Sequence, residues 1–247
     1  MTDRALRRRR WLLIGTALLA SGLGLVGIAS VEVTTKQGLN YEVSTHRLPL
    51  YLKMLQFVDR SEQYEQIAEE VTGGSSSDAE RVLKVFDWTR RHIKWTPDGW
   101  PIVDDHVLNI IIRGHGVNDQ QADVFATLTT YAGVPAFWSR VPLDRDRPGV
   151  LLAFAHVDDR WRVFDVAQGI VFRTPAGDLA TLDDIAANPD IIPESVRTRP
   201  VEQVTYGDVL RTASMPPVPR ILRAELQMPV ARLLYEMQAA VGLETNE

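Results

Sequence analysis

The chain has no cysteine among its 247 residues. That absence removes disulfide cross-links, cysteine zinc sites and any thiol nucleophile together. An oxidising compartment is tolerated by such a chain but not used for stapling. No Gly-rich phosphate loop and no Gly-x-Ser-x-Gly elbow occurs, so neither phosphate cradling nor a serine hydrolase elbow is indicated. There is no internal repeat. Base is scarce once the first ten positions are set aside: Arg4, Arg7, Arg8, Arg9 and Arg10 are concentrated there, and the remainder holds 22 basic and 31 acidic residues, a net charge near −9. An acidic body of that kind argues against nucleic acid or anionic lipid as its partner.

What is present begins with a long apolar run. Trp11 to Val31 spans 21 positions without a charge. As a helix this run would be roughly 31 Å long at about 1.5 Å per residue, enough to cross a bilayer core. A cleaved signal usually carries a shorter apolar stretch of about 7–15 residues, so an uncleaved anchor over 11–31 is the expectation. Gly27-Ile28-Ala29 as a weak cleavage site is the alternative. The basic segment 1–10 stays cytoplasmic by the positive-inside rule, which exports the chain beyond Val31. The expected setting is a bacterial inner membrane, single-pass, with a periplasmic or other extracytoplasmic domain.

Length and an apolar content of 45% support one folded domain with a small appendage. Residues 32–76 read as a stalk or first strand followed by helices at about 49–59 and 61–71. Gly73-Gly74-Ser75-Ser76-Ser77 interrupts them. Ser77 and Glu80 form a capping box for a helix with Val82, Val85, Phe86, Thr89 and Ile93 on one face. A short helix around Val103–Ile112 comes next, and then one over Asn118–Ala132, stopped by Gly133. From Ala136 the period becomes that of strands: Ala136–Val141, Val150–Val157, Trp161–Val166 and Ile170–Arg173, with turns at Asp144–Gly149 and Asp158-Asp159-Arg160. Residues 198–219 contain four prolines and read as a linker. A last helix over 220–247, interrupted at Pro229, is expected to dock through Leu226, Leu233, Leu234, Met237 and Val241, with membrane-surface or partner contact as the alternative.

The segment Gly116-Val117-Asn118-Asp119-Gln120-Gln121-Ala122-Asp123-Val124-Phe125, with Ala132-Gly133-Val134-Pro135-Ala136 and Trp161-Arg162-Val163-Phe164-Asp165, resembles the transglutaminase-like superfamily, in particular a bacterial type associated with envelope polysaccharides. The resemblance spans roughly residues 80–175 and implies an α+β fold of the papain-like cysteine-protease type, a helix packed on an antiparallel sheet. The domain is expected over 77–197, preceded by one transmembrane helix. In that family a cysteine at the helix start, a histidine on a strand and an aspartate on the next strand form the catalytic triad. The matching positions here are Asn118, Val150 and Asp165, so nucleophile and base are both replaced.

Asn118 followed by Gln121 reads as a helix cap. A ligand-binding amide is the alternative, and a groove formed by Asn118, Asp119, Gln121, Asp165 and Trp138 is the candidate binding site. A buried Asp165 needs a partner, and Arg140 or Arg162 is expected beside it. His156 lies six residues from Val150, roughly 20 Å along a strand at about 3.3 Å per residue, too far to replace it. His115, Asp119 and Asp123 fall at i, i+4 and i+8, and Asp104-Asp105-His106 is a second acidic cluster; neither has the specificity of a metal site. Trp88, Trp95, Trp100 and Trp138 flank the groove in sequence, as core residues or as faces for sugars or peptides. No metal and no cofactor is expected.

The uncharged run and the resemblance together lead to the expectation of a membrane-anchored, catalytically inactive module that binds a peptide, glycan or partner protein of the envelope, in polysaccharide assembly or export. A scaffold acting through the anchor or the last helix is a variant of this reading. An enzyme with chemistry reassigned to Asp119, Asp165 and a histidine is the alternative.

Overall fold

The computed structural model describes residues 26–27, 29–39, 42–103, 106–142, 149–201 and 203–240. The basic segment 1–10 and nearly all of the 11–31 run lie outside these residues, as do Asp104, Asp105 and most of the 144–149 turn. No described helix is long and apolar enough to cross a membrane. The chain divides into two compact units, through Val58 and from Asp59.

In the first unit, the stretch expected to be a stalk or first strand forms two strands. β1 (Glu32–Leu39) and β2 (Glu42–Pro49) pair antiparallel from Glu32 with Pro49 to Leu39 with Glu42. Then comes α1 (Leu50–Thr72), one helix of 23 residues where two were expected. It contains neither Gly nor Pro, so nothing breaks the backbone at Arg60-Ser61. From Asp59 on, α1 belongs to the second unit, in which Ser61 is buried and its hydroxyl meets that of Tyr131 at 3.0 Å.

The second unit builds a helical layer and a sheet. α2 (Asp78–His92) starts at Ser77, whose Oγ accepts the Glu80 N–H at 3.2 Å. The Glu80 carboxylate returns to the Ser76 N–H at 2.8 Å, one residue before the expected partner. Val82, Val85, Phe86 and Thr89 are buried along the expected face. β3 (Lys94–Trp95) follows, then α3 (Val107–Arg113), closed by Gly114 in the left-handed region at φ 71°. β4 (His115–Gly116) pairs parallel with β3 and leads into α4 (Asn118–Tyr131). After α4 the chain runs as a meander of β5 (Ala136–Val141), β6 (Val150–Val157), β7 (Arg160–Asp165) and β8 (Ile170–Val171), paired in sequence order. Asp158 and Asp159, at φ 51° and 57°, make the two-residue turn between β6 and β7, the left-handed pair whose twist matches antiparallel strands.

Alternation along β6 sends its side chains into two cores. Ala153, Ala155 and Val157 pack with α2, α3 and α4, and Phe86, Phe125 and Phe164 meet there with ring centroids 5.3–6.0 Å apart. Val150, Leu152 and Phe154 point the other way, toward the chain beyond the sheet. That chain supplies α5 (Leu182–Ala187), α6 (Glu194–Arg197), a two-residue pair β9 (Pro200–Val201) and β10 (Val204–Thr205), and α7 (Tyr206–Thr212).

The expected linker over 198–219 is therefore corrected. Tyr206, Val209 and Leu210 of α7 are buried in the second core, and Thr205 caps the helix by accepting the Asp208 N–H at 3.2 Å. The four prolines sit at positions 200, 216, 217 and 219, outside the helix, so they bound it without breaking it. The last helix, α8 (Pro229–Ala240), begins at the proline that was expected to interrupt it. Docking through Leu234 is not observed, since Leu234 is 54% exposed. Leu226 is partly buried. The side chains of Leu233 and Met237, and all of Val241, lie outside the described residues.

Candidate functional site

The start of α4 is shaped by Gly116. A β-carbon there would lie 2.9 Å from the Gln120 Cβ, and its absence lets Gln120 fold back over the helix entrance. Gln120 Oε1 accepts the Val117 N–H at 3.2 Å, and its Nε2 donates to the Val103 carbonyl at 2.6 Å. The cap is thus one residue earlier than expected: Val117 holds the capping position, and Asn118 is the first helical residue. Asn118 Oδ1 accepts the Asp119 N–H at 2.8 Å, and Asp119 Oδ1 accepts the Gln120 N–H at 2.9 Å. The leading N–H groups of the helix, which would otherwise favour an anion, are occupied by the chain's own side chains. Asn118 and Asp119 remain half-buried.

Gln121 is not a groove residue. It is 1% exposed, donates to the Ile93 and Gly116 carbonyls at 3.3 and 3.4 Å, and accepts from Arg90 at 3.5 Å. Arg90 also donates to the Ala167 carbonyl at 3.0 Å. Together these bonds tie α2, the entrance of α4 and the turn after β7.

Asp165 is buried, 3% exposed, at the end of β7. Its Oδ2 accepts the Tyr206 hydroxyl of α7 at 2.7 Å, and its Oδ1 accepts the Gln168 N–H at 2.9 Å. Neither expected arginine reaches it: Arg162 donates to the Val157 and Leu179 carbonyls from the opposite face of β7. The position of Arg162 follows from strand alternation, since residues 162 and 165 differ by an odd number. Desolvation raises the Asp165 carboxyl above its ordinary range, opposed by the Tyr206 and Gln168 hydrogen bonds and by the fields of Arg90 and Arg199. Tyr206 is also raised, by burial first and then by the Asp165 charge.

Val150 opens β6 opposite Val141 and is 8% exposed, with its side chain in the second core. Pairing of Ala153 with Phe164 puts Asp165 beside Leu152, two residues from Val150 on the same sheet face. The positions matched to the family's base and aspartate thus share one face, but the first is a hydrocarbon and the second is sealed by a phenol. His156, near the far end of β6, packs its ring 5.0 Å from that of Trp161.

Trp138 donates from Nε1 to Asp123 Oδ1 at 3.1 Å, and Asp123 Oδ2 pairs with Arg223 at 3.1 Å. These three line a groove of about 940 Å³ between α4, β5 and the segment 217–238. Asn118, Asp119, Gln121 and Asp165 are not among its lining residues, so the five expected groove residues do not form one cavity. Nor do His115, Asp119 and Asp123 converge: among the described residues no group of three or more metal-ligating side chains is placed to hold an ion.

Aromatic residues gather instead around β4, which leads into α4. Trp95 of β3 pairs with Gly116 of β4, two residues before Asn118. Thr96 Oγ1 meets His115 Nδ1 at 3.3 Å, and Trp100 sets its ring edge-on to His115 at 5.2 Å. Burial, then the Arg113 charge, lower the His115 imidazole, which favours its neutral form at pH 7. Trp95, Trp100 and Ile102 are 55%, 48% and 66% exposed. Trp88, by contrast, stacks on His92 at 4.3 Å. Tyr206 and Arg90 are not among the residues that the sequence singles out. Only the i, i+4 phase of Arg90 relative to Phe86 hints at its inward direction, and nothing marks Tyr206.

Residues 65–165 match the model of the transglutaminase-like superfamily, so the chain carries a transglutaminase-like domain from the second half of α1 to Asp165 itself. No curated protein matches the chain. Among solved structures it is similar to a candidate cysteine protease from Cytophaga hutchinsonii (18% identity, TM-score 0.38, 45% of this chain and 39% of that one). It is also similar to a candidate protease from Parabacteroides distasonis (12%, TM-score 0.35, 56% and 36%) and to a structure described as a TGase (11%, TM-score 0.36, 60% and 46%). The chain spans under half the length of each of these three.

Proposed function

We propose that the chain is a catalytically inactive transglutaminase-like module, anchored through residues 11–31 on the outer face of a bacterial inner membrane. It binds a peptide, glycan or partner protein of the envelope, in the service of polysaccharide assembly or export. The observation that carries the reading is the start of α4. Where the family places a thiolate, this chain has an amide, and the amide and the Asp119 carboxylate occupy the helix N–H groups that would stabilise an anion. The base position is Val150 and the aspartate is closed by Tyr206. The surface left for binding is the half-exposed Asn118–Asp119 edge with Trp95, Trp100 and His115 beside it. Exposed indole faces with amide and carboxylate neighbours suit a ligand with alternating apolar and hydrogen-bonding groups.

The test is recovery of ligand. Detergent-solubilised full-length protein, purified from its own membranes beside an Asn118→Arg variant, is analysed for retained proteins and glycans by mass spectrometry. A partner held by the native protein and lost by the variant supports a binding surface at Asn118. A partner held by both moves the function to the anchor or to residues 220–247. A second reading rests on His115, whose imidazole is lowered by burial and the Arg113 charge, and takes it as the base of reassigned chemistry. It requires turnover of an envelope substrate that falls at least about tenfold in Asp165→Asn or His115→Gln. Such turnover would overturn the inactive-module reading.

A further inference from the structure

The first nine residues of α1 present apolar side chains to solvent. Tyr51, Leu52, Met54, Leu55 and Val58 are 47%, 39%, 59%, 60% and 40% exposed. Positions 51, 54, 55 and 58 recur at i, i+3, i+4 and i+7 and so form one stripe. Lys53 lies about 200° around the helix from Tyr51, at about 100° per residue, and donates from Nζ to the Thr34 carbonyl of β1 at 2.8 Å. One hydrogen bond thus ties the side of α1 opposite the stripe to β1.

Two further observations say what covers that stripe. The Leu50 N–H donates to the Val31 carbonyl at 2.8 Å, so the hairpin returns the chain and fixes the start of α1 against the last residue of the uncharged run 11–31. Charge is also segregated along the helix. Residues 50–58 contain Lys53 and no acid, whereas Asp59, Glu62, Glu65, Glu69 and Glu70 follow. Within α1 the acid thus begins where the apolar stripe ends, although Glu32 and Glu42 lie on the hairpin before it. Arg47, exposed on β2, adds a second cation at the same end.

We propose that Leu50–Val58 is an interfacial membrane contact, with Tyr51, Met54, Leu55 and Val58 entering the headgroup–acyl boundary of the bilayer that holds the anchor. The inference rests on the anchored reading above. A tyrosine at the edge of an apolar stripe suits the interface, and an amphipathic face of this width binds there by the area it removes from water. A short surface helix of this kind adds a second attachment point to a single span and limits how freely the exported domain rotates on it.

The lack of native cysteine makes the test clean. Full-length protein carrying Met54→Cys or, as control, Glu69→Cys is labelled with an environment-sensitive fluorophore and reconstituted into phosphatidylcholine–phosphatidylglycerol vesicles. Shallow spin-labelled lipids should quench the probe at position 54 at least about twofold, with a blue shift, and leave position 69 unchanged, as expected for burial of about 5–10 Å. Equal, water-like emission at both positions would overturn the proposal. So would a probe at position 54 that is shielded but unquenched while the unlabelled Met54→Cys protein, on oxidation, forms disulfide cross-links between copies, which assigns the stripe to a second chain. Alkaline carbonate extraction separates this failure from that of the anchor: protein released into the supernatant refutes the anchor, whereas protein retained with an unquenched probe refutes only the surface contact.

Discussion

Asn118 and Asp165, the two residues matched by sequence to ends of the family's triad, have surroundings that differ in kind. Asn118 is half-buried at a helix start, and its amide bonds to a backbone neighbour one residue away. Asp165 is buried under a helix 41 residues further along the chain, bonded to a phenol that no local pattern announces. The first side chain is half-open and can be replaced with little loss; the second is buried, and its removal would leave other groups unpaired. The closing residue, Tyr206, also lies outside the 65–165 span that matches the family.

That contrast can be tested first at the scaffold both positions share. Phe125, fully buried between Phe86 and Phe164, should cost about 3–5 kcal/mol when changed to Ala, read as a lowered urea midpoint. Ligand capture at Asn118 and protection of Asp165 should fail together as this variant unfolds; separate transitions would show that the two positions do not share one core. Next in size is Tyr206→Phe, which leaves a buried carboxylate oxygen without its donor and should cost about 1–3 kcal/mol in chemical denaturation. A variant as stable as the native protein would mean that Asp165 is not sealed in solution.

The Asp165 carboxyl should also leave a signature in pH. Burial raises its value in the folded chain above the unfolded one, so the folded form holds the proton to higher pH. Between the ordinary value of about 3.9 and the raised folded value, the folded state binds more protons than the unfolded, and stability falls as pH rises. Above both values the loss is complete and constant. Asp165→Asn should flatten this part of the Tm–pH curve while other carboxylates keep their slopes. An unchanged curve would place the ionised group in solvent.

Asn118→Ala should have the smallest effect, at most about 1 kcal/mol, because only one near-terminal N–H loses a partner. Asn118→Cys sharpens the contrast further. With Asp119 retained and Val150 as the base position, it should show no thiol-dependent hydrolysis of peptide amides, and recovery of turnover by this single change would show that the remaining site is competent.

Much of the architecture was legible because local patterns determine it. The Ser77 start, the Gly133 stop and β5 and β6 at their full lengths all followed from capping chemistry and period. The turn expected at Asp158-Asp159-Arg160 followed in the same way, one residue shorter, since Arg160 already opens β7. Residues such as Gly116 were visible in sequence, but their effect was not. Gln120, not Gln121, returns to the helix entrance because of a close approach that depends on three-dimensional spacing.

The sequence by itself determined which chemistry is missing, since a side chain either carries a thiol or does not, and it determined the order of helix and strand through periodicity. Only the tertiary structure decided what became of the groups that remain. It folded a proline-bounded stretch into a helix that seals Asp165, buried Gln121 as a strut, sent Trp138 to a different groove and left Trp95 and Trp100 exposed. Those outcomes depend on contacts between residues tens of positions apart, whose partners no local pattern specifies.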